Sequence, residues 1–287
     1  MIENSILASG LAAVISRTIM HPIDTLRIRY QVGEKSLENS SKPQKGLSVY
    51  RGQLRGLYSG YSVALLFTLP GMTIFYTSYD INKKVLDKYF NIDQNNSLNH
   101  SISGFLSSNL AGLIFNPMEV IKGYLQVQGN DSQQVKVNKL IQQIYRKQGM
   151  VGFQNGYFLS VAVFGPHNLI YFSFYEKFKK YFNDNNNNDS LNFVKASALS
   201  TLLAVTSTHP IEVLRSKYQY LKTEQNFGTS KNKVNISNLI KSIYKNNGIR
   251  GFYKGMLLRC FYFIPNTTMT MTLFELFKIK LMDFNKI

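Results

Sequence analysis

Three segments of this 287-residue chain carry the same motif, and its spacing leaves few folds open. Pro22, Asp24, Arg27 and Gln31 form the first copy, Pro117, Glu119, Lys122 and Gln126 the second, and Pro210, Glu212, Arg215 and Gln219 the third. The copies lie 95 and 93 residues apart. Self-similarity at a fixed period marks a repeat architecture, in which units bury their faces against one another. Three tandem units follow, at residues 1–90, 97–182 and 190–284.

Six stretches poor in charge run through the repeats, two to each. They cover Ile6 to Met20, Gly56 to Tyr79, Ser97 to Met118, Gly149 to Tyr175, Ala196 to Ile211 and Cys260 to Phe274. A bilayer core needs roughly 20 mostly apolar residues per helix, so the second, third and fourth stretches pass and the others are marginal. Ser, Thr, Asn and Tyr inside them hold the mean hydropathy to -0.14. Such helices suit a bundle with one face toward lipid and another toward a wet cavity; on hydropathy alone, a soluble basic helical protein stays open.

Charge placement favours the membrane. The formal charge is +17, and it lies in alternate connections. Lys35, Lys42, Lys45, Arg51 and Arg55 fill the first; Lys136, Lys139, Arg146 and Lys147 the third; Lys222, Lys231, Lys233, Lys241, Lys245, Arg250 and Lys254 the fifth. The second and fourth are short and Asn-rich and carry Asp93, Asp184 and Asp189. Six spans under a positive-inside bias produce this alternation, and a nucleic-acid binder with no recognisable motif does not. The first residues, Met1 to Asn4, include an acid and no Arg-rich segment, so the expectation is internal targeting without a cleaved leader.

Enzyme chemistry finds no footing. Cys260 stands alone, which rules out an internal disulfide, and His21, His100, His167 and His209 lack metal-ligand spacing. No metal and no cofactor are expected. His21 and His209 each precede a motif Pro, where a structural place beside the kink is preferred to a proton relay.

Two further marks repeat in register. Tyr79-Asp80 with Lys83, Tyr175-Glu176 with Lys179 and Phe274-Glu275 with Lys278 close the even stretches, each acid ten residues after Pro70, Pro166 or Pro265. Gly56 with Gly60, Gly152 with Gly156 and Gly251 with Gly255 precede those stretches. Together these residues resemble the mitochondrial carriers, solute carrier family 25, across essentially the whole chain. The family signature, Pro-x-acid-x-x-base-x-base and then aromatic, base and Gly, is met at Pro22 to Arg29, and at Pro210 to Lys217 with Tyr253-Lys254-Gly255. The second copy departs, with Tyr124 for the second base and Gln154-Asn155 for aromatic and base; the first has Ser59 for a base.

The resemblance implies an all-α membrane fold: six transmembrane helices in a barrel, with three short matrix surface helices. It implies a multi-pass transporter of the mitochondrial inner membrane that carries a metabolite or cofactor by alternating access. A non-transporting carrier-fold adaptor or scaffold is the alternative. Carried over residue by residue, the matrix gate pairs Asp24 with Lys122, Glu119 with Arg215 and Glu212 with Arg27, braced by Gln31, Gln126 and Gln219. The cytoplasmic gate pairs Asp80 with Lys179, Glu176 with Lys278 and Glu275 with Lys83, with Tyr79 and Tyr175 as braces. Gly60, Gly156 and Gly255 would hold lipid headgroups, cardiolipin in this family, and a monomer is the family expectation.

Substrate contacts are expected near mid-membrane on the even helices, at Phe67, Val163, Phe164, Tyr262 and Phe263, with packing between helices as the equal alternative. Arg17 and Arg259 join them, because an intramembrane Arg is costly unless it faces water or a partner. Asn109, His167, Asn168 and Asn266 would add hydrogen bonds. With bases and no acid beyond the gates, the site leans toward a neutral amino acid, a monocarboxylate or a cofactor-like molecule.

Overall fold

The computed structural model describes residues 2–32, 56–94, 96–128, 136–185, 189–227 and 234–284. It is helical throughout: α1 (Ile2–Val32), α2 (Tyr61–Phe90), α3 (Ser97–Gln128), α4 (Val137–Gln148), α5 (Tyr157–Asn185), α6 (Asp189–Gln225), α7 (Ile236–Asn247) and α8 (Met256–Phe284), with 3-10 turns at Gly149–Gln154 and Ile249–Tyr253. The six long helices pack in a closed circle in the order α1, α2, α3, α5, α6, α8 and back to α1. Two of the three expected surface helices, α4 and α7, are present at the basic end; the first would fall within residues 33–55, outside the described residues. The basic residues assigned to 33–55 and 228–233 lie outside them as well.

Each long helix holds an internal Pro: Pro22, Pro70, Pro117, Pro166, Pro210 and Pro265. Proline removes a backbone donor and crowds the preceding turn, so a helix bends there. The three leading helices α1, α3 and α6 touch one another as well as their neighbours in the circle, so the barrel narrows where the motif copies lie.

Polarity is distributed inside out. Leu11, Ile15 and Ile19 on α1, Leu66 and Leu69 on α2, and Leu106, Leu110 and Leu113 on α3 are exposed, whereas Asn99, Ser103, Ser107 and Asn116 of α3 are buried. Contiguous exposed apolar surface on this scale marks contact with another apolar phase. Nevertheless, among the described residues no helix is long and apolar enough to cross a membrane. The cause is the inward polar face: Thr68 Oγ1 donates to the Ala64 carbonyl at 2.6 Å, Ser107 Oγ to Ser103 at 2.6 Å and Thr208 Oγ1 to Ala204 at 2.7 Å. These hydroxyls are satisfied within their own helix, yet they lower its hydropathy.

The trailing helices start against the next repeat. Gly60, Gly156 and Gly255 take φ of 77°, 77° and 83°, and a Cβ there would come within 3.2 Å of Lys122 Cα, 2.9 Å of Gln219 Cγ and 3.1 Å of Gln31 Cγ. Only glycine combines the left-handed conformation with so close an approach. Replacing Gly156 with Ala is expected to lower stability by about 1 to 3 kcal/mol through backbone strain and displacement of Gln219. Thermal unfolding in detergent checks this, and Gly123→Ala, where an added Cβ meets nothing within 4 Å, is the control.

Candidate functional site

The motif copies place three acids and three bases in one continuous ring. Lys122 Nζ bridges Asp24 at 3.0 Å and Glu119 at 3.1 Å. Arg27 lies 2.9 Å from Asp24 on its own helix and 3.8 Å from Glu212, while Arg215 lies 2.9 Å from Glu212 and 3.8 Å from Glu119. The three expected pairs between helices are therefore all brought together, and three local i,i+3 pairs weld them into a network. Five of the six members are almost fully buried; Glu119, with 18% of its side chain accessible, is the sixth. Burial makes each charge dependent on its partners, since a lone charge in a dry interior is strongly unfavourable.

The three glutamines behave differently from one another. Gln126 Nε2 donates to Asp24 at 3.4 Å and to Thr25 Oγ1 at 3.1 Å, so it touches the ring. Gln31 instead accepts from Ser216 Oγ at 3.2 Å, and Gln219 donates to Asn116 Oδ1 at 3.1 Å.

Aromatic rings cover the arginines. Arg27 sits 5.1 Å from the Tyr262 ring centroid and 5.6 Å from that of Phe263, and Arg215 sits 5.0 Å from that of Phe164. A desolvated guanidinium over an aromatic face gains about 2 kcal/mol. Phe67 packs against an apolar cluster drawn from α2, α3 and α4, and Val163 is buried.

Above the ring lies a cavity of about 270 Å³ whose wall includes Arg17, Met72, Asn109, Phe164, Glu119 and Arg215. Arg17 and Phe164 are the two expected substrate contacts that line it; Asn109 and Asn168, expected to add hydrogen bonds, line it too. Arg17 is held by one nitrogen, which donates to the Ala64 carbonyl at 3.3 Å, Thr68 Oγ1 at 3.0 Å and Met118 Sδ at 3.3 Å. Arg259 is buried away from this cavity: it donates to the Val205 carbonyl at 3.4 Å and Thr208 Oγ1 at 3.2 Å, and lies over Phe263 at 5.3 Å. His167 leans on Phe263, 5.6 Å between ring centroids.

At the far end of the barrel, Tyr79 hydrogen-bonds His100 Nδ1 at 2.5 Å, Lys83 approaches the Tyr79 ring at 5.8 Å, and Tyr175 stacks on Tyr171. The side chains of Glu176, Glu275 and Lys278 lie outside the described set, so the second expected ring is described only in part.

His21 and His209 take the structural place beside the kink that was expected of them, and Asn116, which sequence reasoning missed, takes the same place in the second repeat. His21 Nε2 donates to the Ser59 carbonyl at 3.2 Å, and His209 Nε2 to that of Lys254 at 3.2 Å. Asn116 Nδ2 donates to the carbonyls of Phe153 at 3.1 Å and Asn155 at 3.4 Å. Each ties its kink to the carbonyl just before the glycine that opens the trailing helix of the same repeat. Asn116 does more, because its Oδ1 accepts from Ser160 at 3.0 Å and from Gln219. Asn116→Ala should therefore cost about 1 to 3 kcal/mol, the penalty for leaving buried partners unpaired. Asn116→His, the residue of the sister repeats, should recover part of it in the same melting assay.

Tyr124, where the second copy lacks its outer base, stacks on Tyr220 at 5.5 Å and on Phe227 at 5.1 Å. The outer base of the first copy, Arg29, donates instead to the Gln126 carbonyl at 2.6 Å and the Gly56 carbonyl at 3.0 Å.

A threefold-repeated helical barrel with an internal cavity, sealed at one end by a ring of ion pairs, defines a class of membrane carrier. The chain belongs to the mitochondrial carrier protein family, which it matches at residues 2–90, 93–186 and 188–285. Membership makes it a transporter and not an enzyme, and places it in the mitochondrial inner membrane. It is 27% identical over 286 residues to the Uncharacterized mitochondrial carrier C4G8.08 of Schizosaccharomyces pombe, covering 97% of this chain and 98% of that one. Mitoferrin-1 of Rattus norvegicus is 24% identical over 290 residues, covering 96% and 83%. Mitochondrial RNA-splicing protein MRS4 of Saccharomyces cerevisiae is 24% identical over 285 residues, covering 98% and 92%.

Proposed function

We propose that this carrier moves a small solute by alternating access, with the ring of Asp24, Arg27, Glu119, Lys122, Glu212 and Arg215 as its matrix gate, and that the cargo presents an anionic group to the cavity. The observation that carries the cargo reading is a charge imbalance. The ring is neutral, three acids against three bases, and Arg17 faces the cavity with no ion-pair partner among the described residues. Glu119, the one acid in the wall, is engaged by Lys122 and Arg215. A charge-assisted fork such as Arg17 suits a carboxylate or phosphate.

Relatives named mitoferrin suggest iron as the cargo. Among the described residues no group of three or more His, Cys, Asp or Glu is placed to hold a metal ion, and the cavity wall carries excess positive charge. Iron therefore fits this cavity as an anionic complex with a small carboxylate better than as a bare cation. The same Arg17 favours a second reading, a monocarboxylate or neutral amino acid carried alone, for which the relatives' names offer no support. Proteoliposome uptake of radiolabelled iron, offered as ferrous citrate or as the ascorbate-reduced ion, with unlabelled citrate, pyruvate and alanine as competitors, separates these readings. Faster uptake of the citrate complex supports the proposal; uptake of the bare ion alone overturns it, and competition by pyruvate or alanine without iron uptake favours the second reading.

The cavity lies within one chain, which supports a monomeric carrier. The amides at the starts of α2, α5 and α8, near Gly60, Gly156 and Gly255, suit an anionic phospholipid headgroup such as cardiolipin.

A further inference from the structure

By symmetry the three links of the matrix ring are equivalent, but the geometry makes them unequal. The link between α1 and α3, Lys122 to Asp24, is tight at 3.0 Å. The two links to α6 are both 3.8 Å: Arg215 to Glu119, and Arg27 to Glu212. Of all six members, only Glu119 and Arg215 line the cavity. Glu119 is also the accessible one, at 18% against 3% for Asp24 and 1% for Glu212.

The surroundings of this link favour its release. Arg215 keeps a 2.9 Å bond to Glu212 and the Phe164 face at 5.0 Å when it leaves Glu119, and Glu119 keeps Lys122 at 3.1 Å. Neither charge is stranded. The alternative long link is closed to cargo, since both Arg27 and Glu212 are buried, with Tyr262 and Phe263 over Arg27. An anion in the cavity meets both Arg17 and Arg215 in its lining and competes with Glu119 for Arg215.

We infer that cargo opens the matrix ring at one link, Glu119 with Arg215, and that α6 is the helix freed first. The inference rests on the anionic-cargo reading above. A ligand can open the ring only by binding the open state more tightly than the closed one, and this is the link at which an anion gains a partner on opening.

A reporter beyond the ring tests it. Gly123 borders a small void on the side of the ring away from the cavity, with Tyr124, Ser216 and Tyr220, and an added Cβ meets no atom within 4 Å. In the purified full chain carrying Cys260→Ser and Gly123→Cys, alkylation by a charged maleimide is timed with and without ferrous citrate. The expected response to ferrous citrate is an acceleration of roughly 5- to 150-fold, the usual range of coupling between sites. Arg215→Lys, which keeps the charge but loses the fork, and Glu119→Gln, at the most accessible ring position, should each abolish that response. Arg27→Lys, at the other long link, should retain it. A response that survives in both Arg215→Lys and Glu119→Gln, or is lost equally in Arg27→Lys, overturns the inference while leaving anionic cargo standing. Absence of any ferrous citrate effect in the parent overturns the cargo reading and the inference with it.

Discussion

Glu212→Gln is expected to destabilise the closed carrier by about 3 to 5 kcal/mol, the cost of removing one partner from a buried ion pair. Glu212 is 1% exposed and serves Arg215 at 2.9 Å and Arg27 at 3.8 Å. The amide keeps the volume and loses the charge, so two buried guanidiniums are left with too few acids, and Arg259 adds a third positive charge nearby. Thermal unfolding in detergent should show a loss of more than about 5 °C. Glu119→Gln should cost less, because Glu119 is partly accessible and Arg215 retains Glu212 and Phe164. Equal shifts for the two variants would mean that the ring is not closed in solution.

Arg17→Ala should produce the largest functional loss with little structural cost. Its one anchored nitrogen makes part-buried hydrogen bonds to Ala64, Thr68 and Met118, and losing such contacts costs about 1 kcal/mol. Against an anion the guanidinium supplies a charge-assisted fork, and truncating one member of such a pair in a desolvated site costs about 2 to 5 kcal/mol, or roughly 30- to 5000-fold in affinity. Uptake at low substrate should therefore collapse while the melting temperature barely moves. Unchanged uptake would remove Arg17 from the cargo site. Arg17→Lys separates charge from geometry: recovery of most uptake would show that a point charge suffices.

The ring was legible in the sequence because its members repeat at fixed offsets from a proline. Three copies bent inward by Pro22, Pro117 and Pro210 must converge, so i,i+3 charges that would otherwise pair locally also pair between helices. The cavity was less legible, since which aromatic faces it depends on helix rotation. Phe164 lines the wall, whereas Tyr262 and Phe263, from the matching place on α8, lie over Arg27. Asn116 was missed because its partners, the carbonyls of Phe153 and Asn155 and the side chains of Ser160 and Gln219, lie far along the chain and stand at no repeated offset from its proline. Hydropathy understated the spans for a related reason: hydroxyls such as those of Thr68 and Ser107 are scored as exposed to the surroundings although they bond to their own helix.

Alternating access through this ring is most directly tested by counterflow of radiolabelled ferrous citrate in proteoliposomes holding the full chain, beside the Arg17→Ala variant. Saturable accumulation is expected that depends on internal unlabelled ferrous citrate and disappears in the variant. A folded, correctly inserted chain that shows no saturable exchange, or shows the same exchange without Arg17, would contradict it.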